Sequence, residues 1–410
     1  MHPEEQALIH DWNTVAGRFQ PSVPITFDDE TLRDGLQSPS VTDPPLAAKL
    51  EILERMADLG IETANLGLPG AGAAHRADIL AMAEHIAKAG LPIRPNVACR
   101  TVVSDIEPVR EIMDKTGLSV LACCFIGSSP IRQYTENWTL STLLGHVEKS
   151  LSYARDHGIP VMFVTEDTTR AHPSDLEALY GLAIDLGAER LCICDTCGHA
   201  TPDGVRNLVS FVRRIAEKKG RAVGLDWHGH RDRNLDLVNC MAAVEAGVSE
   251  VHGAALGVGE RAGNAPMDLL LANFRLLGWI DRDLTRLGDY VRTCSKHLRV
   301  PIPHNYPIFG HDAFVTGTGV HAAAVIKAMK RGDNWLADRV YSGVPAADFG
   351  ESQRVAVGPM SGKSNVIWWL DHHGFNGNDE ALVERVFAAA KAADHLLSDD
   401  ELRLAATAHV

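Results

Sequence analysis

A closed (β/α)8 TIM barrel with an appended C-terminal helical region is the α/β fold that three observations predict for this 410-residue sequence. From residue 23 onward, short β-branched or apolar runs alternate with longer segments of helical period, the pattern of repeated βα units around a parallel sheet. There are eight such units over about 250 residues, the size of a closed barrel. The first turn, TLRDGLQSP, lacks the GxGxxG of a dinucleotide-binding open sheet, which usually also has fewer strands.

In order, the strand candidates are PITFDDE, ETANLG, IRPNVAC, LSVLACCF, IPVMFVTED, RLCICDT, AVGLDWHGH and EVHGAAL, each followed by a helix-like stretch. Between the third and fourth lies SDIEPVREIMDKTG, where Ser104 is a candidate to cap the helix start and Gly117 to end it. Residues 1–22 are expected to form an N-terminal helical extension and residues 23–280 the barrel. The βα rhythm then stops. Residues 281–310, with the Pro-rich VPIPHNYPIFG, are expected to be a linker. Residues 311–410 are expected to be helical subdomains, through DAFVTGTGVHAAAVIKAMKRG and NDEALVERVFAAAKAADHLL, with a role in dimerisation.

Composition narrows the function classes. A 45% hydrophobic and 22% charged chain is that of a soluble globular protein, and a net charge of -14 argues against a nucleic-acid partner. Several of the eight cysteines fall inside apolar strand runs, where a thiol is a small buried hydrophobe, and no disulfide framework is suggested. Cys192, Cys194 and Cys197 lack the second Cys pair of a structural zinc site. The acidic start MHPEEQALIHDWN has no signal-peptide core, and no run approaches the roughly 18 apolar residues of a membrane span, so a cytoplasmic protein without membrane partners is expected.

A TIM barrel builds its chemistry at the C-terminal ends of its strands. Asp34 follows the first strand; His228 and His230 end the seventh. Residues i and i+2 of a strand share a face with Cα atoms ~7 Å apart, so both imidazoles can reach one ion. In a closed barrel only the eighth strand separates the first from the seventh. Two imidazoles and a carboxylate suit a divalent metal such as Zn2+, Mn2+, Mg2+ or Fe2+. An isolated HxH more often merely ends a strand, but this pair sits where a barrel places its site and is followed by Arg231 and Asp232.

The motifs DETLRDGLQ (29–37), EDTTR (166–170), DTCGHATP (195–202), HGHRD (228–232), GVGERAGNAP (257–266), GTGVH (317–321) and GPMSGKSN (358–365) carry a resemblance. They resemble those of the metal-dependent TIM-barrel family of 2-isopropylmalate, homocitrate and citramalate synthases and hydroxymethylglutaryl-CoA lyases. The resemblance implies Asp34, His228 and His230 as metal ligands, with the Asn264 amide near or on the metal. It implies Arg33 beside the metal, where a guanidinium can neutralise an enolate oxygen or hold a keto-acid carbonyl; a salt bridge across the mouth is the bland alternative. Thr196 and Arg100 are implied contacts to the keto-acid carboxylate, although Thr196 can equally cap the next helix. Gln37 and Asn65 join the substrate-binding set. Gly257, Gly259 and Gly263 form a loop that lets substrate approach or simply turns tightly. Beyond the barrel, His321 and Tyr341 match a pair that the synthases send into the partner subunit's site, where they can relay a proton or activate water, which implies a homodimer.

There are departures. Family members usually carry glutamate where NLGLP has Asn65, and an amide cannot act as a base. HGHRD puts Arg231 where an amide is common, a cation that can favour a more anionic keto acid or face Asp232. The regulatory domain of leucine-inhibited synthases is not expected after residue 410. The helical region favours a synthase over a lyase, and GVGERAGN lacks the cysteine that lyases use there. The expected reaction is a Claisen condensation of acetyl-CoA with a 2-oxo acid followed by thioester hydrolysis; a lyase running the reverse reaction and a non-catalytic relative are the alternatives.

Overall fold

A computed structural model describes residues 7–408, and in it eight parallel strands close into a barrel. They are β1 (Thr26–Asp29), β2 (Thr63–Asn65), β3 (Arg94–Arg100), β4 (Leu121–Gly127), β5 (Val161–Glu166), β6 (Arg190–Asp195), β7 (Gly224–Gly229) and β8 (Glu250–Gly253). Each overlaps one of the eight predicted runs; β3 continues one residue past its run, to Arg100, and β4 two residues past its run, to Gly127. Neighbours pair in sequence order, and β1 closes on β8 with Asp28 opposite His252.

Strand side chains alternate between faces. One row, with Phe27, Phe163, Leu191, Trp227 and Val251, is wholly buried beneath the surrounding helices. Those helices supply apolar residues at three- and four-residue spacing. Val205, Val209, Val212 and Ile215 of the helix Pro202–Lys219 are an example, with Thr201 accepting from the Gly204 N–H at its start and left-handed Gly220 at its end.

The other row fills the barrel, and its lower part is ionic where such interiors are usually branched aliphatics. Arg190 on β6 bonds Asp226 on β7 at 2.6 Å and lies 3.5 Å from Glu250 on β8. Thr26 donates to Glu250 at 2.7 Å, Asn96 donates to Asp28 at 2.7 Å, and His252 stands 3.4 Å from Asp226 and 3.7 Å from Asp28. Burial pushes Glu250 up to about 8 and Asp28 up to about 6, whereas Arg190 holds Asp226 below the usual carboxylate range against the same burial.

Outside the barrel the expectations need correction. The described part of the N-terminal segment, residues 7–22, forms a single 3-10 turn, Trp12–Thr14, and no longer helix; residues 1–6 lie outside the described residues. Gly17 and Pro21 interrupt the segment, and its Leu8, Ile9 and Trp12 stay exposed. The helix after β3 runs Val103–Thr116 with left-handed Gly117 at its end, but Ser104 lies inside its first turn and does not cap it. The stretch 281–310 contains the helix Leu287–Leu298. Its buried Leu287, Tyr290, Val291, Cys294 and Leu298 follow a helical period that the downstream prolines mask in the sequence.

The described chain divides into two compact units, residues 7–282 with 293–300 and residues 283–292 with 301–408. In the second, short strands Val315–Thr316 and Arg354–Val355 pair in parallel. The helices Lys363–His372, Glu380–Ala392 and Asp399–Thr407 enclose a core of Val366, Trp369, Leu370, Val386 and Leu402. The helix Gly319–Lys330 carries His321. Among the described residues no helix is long and apolar enough to cross a membrane.

Replacing Arg190 by Met would strip the fully buried Asp226 carboxylate of its guanidinium and leave it only the imidazole of His252. Urea unfolding should then show a loss of about 3 kcal/mol, because breaking one side of a buried ion pair strands the other charge.

Candidate metal centre

Above Asp226, the next two inward positions of β7 and its extension are His228 and His230, so the strand's period of two sets both imidazoles over the ionic layer. Asp34 arrives from the turn after β1. Its Oδ2 lies 3.4 Å from His228 Nε2 and 3.5 Å from His230 Nε2, and the two Nε2 atoms are 3.3 Å apart. Three donors bound at about 2.1 Å to one tetrahedral ion would be separated by about 3.4 Å. The set therefore fits a divalent ion, and it is the one the sequence brought together.

All three side chains are buried, and the protonation of Asp34 and His230 suits a metal. Burial by itself would raise Asp34, but the Arg33 guanidinium and the facing imidazoles hold its carboxyl well below the usual range. Burial pushes His230 down to about 4, so it is a neutral ligand at neutral pH. The Glu260 N–H donates to Asp34 Oδ1 at 3.1 Å, leaving Oδ2 to face the imidazoles. His230 bridges in backbone pairing to Asn264, whose Nδ2 donates to the Val258 carbonyl at 3.1 Å while its buried Oδ1 has no partner. A buried amide oxygen without a hydrogen-bond partner, one backbone bridge from His230, is a group whose lone pairs are still free to act as a donor.

Arg33 lies between Glu30, bonded at 2.7 Å, and Asp34 at 3.3 Å. Glu30 in turn has its other oxygen 3.8 Å from His228 Nδ1 and 3.5 Å from His252 Nδ1, the position of a carboxylate that orients a metal-binding histidine. Asn65 donates to that oxygen at 3.5 Å and accepts from the Gly67 N–H. A glutamate at position 65 would instead face Glu30 with like charge, so the amide fits its neighbour.

A cavity of about 400 Å³ opens at the C-terminal ends of the strands, lined by Arg33, Asp34, Gln37, Asn65, Thr196, His228 and His230 among the expected residues. Thr196 Oγ1 accepts from the Asp167 N–H at 2.8 Å, and the next helix is capped by Thr201, so helix capping is not its role. Arg100 does not line the cavity. Its side chain is 59% exposed and grips both oxygens of buried Asp105, which takes up its carboxylate-binding fork. Arg231, of opposite parity to His230, donates to Asn234, and it is Arg261 that pairs with Asp232. The glycine loop is structural. Gly259 and Gly263 have φ of 155° and 105°, and a Cβ on Gly259 would run into the Asn264 amide nitrogen.

His321 and Tyr341 belong to the second unit, where their rings stack at 4.1 Å and line a cavity of about 200 Å³. Sequence reasoning missed Glu30, His252, Glu166 and Glu260, all of which line the barrel cavity. Strand parity was the available signal: Glu30 continues the row of Asp28, and His252 that of Glu250.

Fold and site together define a TIM-barrel protein with a divalent-metal donor set at the mouth. The HMGL-like family model matches residues 24–292, and the chain belongs to this family. It is 30% identical to a 2-isopropylmalate synthase of Sulfurisphaera tokodaii over 90% of this chain and 91% of that one. It is 29% identical to the homocitrate synthase AksA of Methanopyrus kandleri over 89% and 86%. With the (R)-citramalate synthase CimA of Methanocaldococcus jannaschii it shares 30% over 87% and 69%. Among solved structures, the HMG-CoA lyase of Brucella melitensis shares the fold at TM-score 0.55 and 18% identity, over 68% of this chain and all (100%) of that one.

Two outcomes follow for the metal-free protein. Between pH 6.5 and 4 the unfolded chain protonates at His230 and the folded one does not, so stability should fall by about 3 kcal/mol as pH drops through that window. His230→Gln should flatten this loss in pH-dependent unfolding. A divalent ion should raise Tm at pH 7 in the native chain and not in Asp34→Asn, read by thermal shift.

Proposed function

We propose that the chain is an acyltransferase that condenses acetyl-CoA with a 2-oxo acid and hydrolyses the thioester, converting the acyl group to an alkyl group on transfer. The observation that carries this is the buried Asp34, His228 and His230 set with Arg33 beside it, in a chain some 30% identical over most of its length to homocitrate, isopropylmalate and citramalate synthases. Asp34, His228 and His230 would hold a divalent metal, Zn2+, Mn2+, Mg2+ or Fe2+, with Asn264 as a further donor. When bound, such an ion supplies Lewis acidity and a template for the oxo acid's carbonyl and carboxylate.

The remaining chemistry belongs to the chain's residues. Thr196 accepts from a backbone N–H, which leaves its hydroxyl proton to donate to the oxo-acid carboxylate. Arg33, fixed by Glu30 and Asp34, directs its remaining N–H groups at oxygen that gains charge when the acetyl methyl is deprotonated. Gln37 and Asn65 border the same space. Glu166, on the cavity wall at the end of β5, is raised by burial, which brings its carboxylate nearer to the basicity a proton acceptor needs. His321 and Tyr341, the latter 50% exposed, would complete the site of a second copy in a cytoplasmic homodimer and serve the hydrolytic step.

Thiol release from acetyl-CoA should depend on both a 2-oxo acid and a divalent metal; full release after chelation would overturn the reading. Arg33→Gln should lower kcat by about 10²–10³, and Glu166→Gln by about 10² with the KM for the oxo acid little changed. Asp34→Asn and His321→Ala should each be inactive alone, yet mixed and re-equilibrated should regain roughly a quarter of native activity, since one site of each mixed dimer is then intact. No recovery from the mixture would remove the shared-site part of the proposal.

A further inference from the structure

We propose that the barrel cavity selects a 2-oxo acid with one carboxylate and an uncharged aliphatic or aromatic side chain, against dicarboxylic oxo acids; this rests on the synthase reading of the site. The cavity is divided by strand. Its polar side comes from the turn after β1 and from β7 and β8, where the donor set and Arg33 lie. Its other side is formed by β3 to β6 through Ala98, Phe125, Met162 and Val164, with Cys123 and Cys192 between them. Burial pushes both thiols up, so they stay S–H and behave as soft apolar surface.

A second substrate carboxylate directed at this wall would need a cation, and the wall has none. Arg33 is the one Lys or Arg side chain lining the cavity among the described residues, and it is already shared between Glu30 and Asp34. The next cation along β3, Arg100, is held outside by both oxygens of Asp105. Glu166 and Glu260, which also line the cavity, are acidic. A carboxylate placed here would lose its water without a counter-charge, whereas an apolar side chain would gain by leaving water.

The test is calorimetric titration of the Mn2+-loaded protein with 4-methyl-2-oxopentanoate, phenylpyruvate, 2-oxoglutarate and oxaloacetate, run beside a thiol-release assay with acetyl-CoA. The apolar acids should bind at least about tenfold more tightly than the two dicarboxylic ones. Equal or tighter binding of either dicarboxylic acid overturns the inference, as does binding of none of the four. If the apolar acids bind in the expected order and no acid releases thiol, the synthase reading falls and the side-chain preference stands. If thiol is released best with 2-oxoglutarate, the preference falls and the synthase reading stands. Val164→Arg, at a half-buried wall position, should shift the affinity ratio at least about tenfold toward 2-oxoglutarate. Phe125→Arg, also half-buried, makes the same test should the first variant fail to fold, and an unchanged ratio in a folded variant overturns the inference.

Discussion

Two carboxylates, Asp34 and Glu30, are buried against imidazoles at the mouth of the barrel, and the site depends on keeping them ionised. An isolated carboxylate moved out of water takes up a proton and ceases to be a ligand. Arg33 prevents this by bonding Glu30 and Asp34 together, one residue satisfying both charges. With Asp34 charged and His230 neutral, these two donors are already in the protonation state a metal requires. Arg33 therefore has a structural task at the mouth of the barrel. The same side chain forms the salt bridge across the mouth and lines the cavity wall.

The same rule operates one layer down. Along β7 the inward residues Asp226, His228 and His230 form a column: Asp226 faces Arg190, both imidazoles face Asp34, and His228 has Glu30 on its other side. His252 on β8 stands between this column and β1, held protonated against its own burial by Asp28, Asp226 and Glu30. The result is an ionic column on one side of the barrel and a neutral wall on the other. Charges held by one another in this column have little freedom to turn toward a substrate, so the capacity left for one lies at the donor triad, at Thr196 and at the remaining N–H groups of Arg33. The neutral side offers only shape and dispersion contacts.

Much of this was legible beforehand. The eight strands could be read because a parallel barrel strand is a short apolar run between helical segments. His228 and His230 could be read because a period of two places them on one face. Asp34 joined them because closure makes β1 and β8 neighbours and β8 is the only strand between β1 and β7. Arg100 misled: it ends β3 on the inward row, yet Asp105 five residues later captures it, a contact decided by how the following helix turns back. Arg231 misled similarly, since its parity directs it away from the cavity and Arg261 had already taken Asp232.

By itself the sequence determined the period of each element, and with it the closed barrel and the residue types at the ends of its strands. Tertiary structure alone decided which charges meet. Glu30 came to face the imidazoles of His228 and His252 only once barrel closure brought β1 to β8 and β7, and Asn65 became its fitting neighbour only once β1 and β2 lay side by side. Pairing of buried charges depends on distances of 3–4 Å between residues far apart in the chain, such as the 3.5 Å between Glu30 and His252. Local periodicity fixes the direction of a side chain and says nothing about what it will meet there.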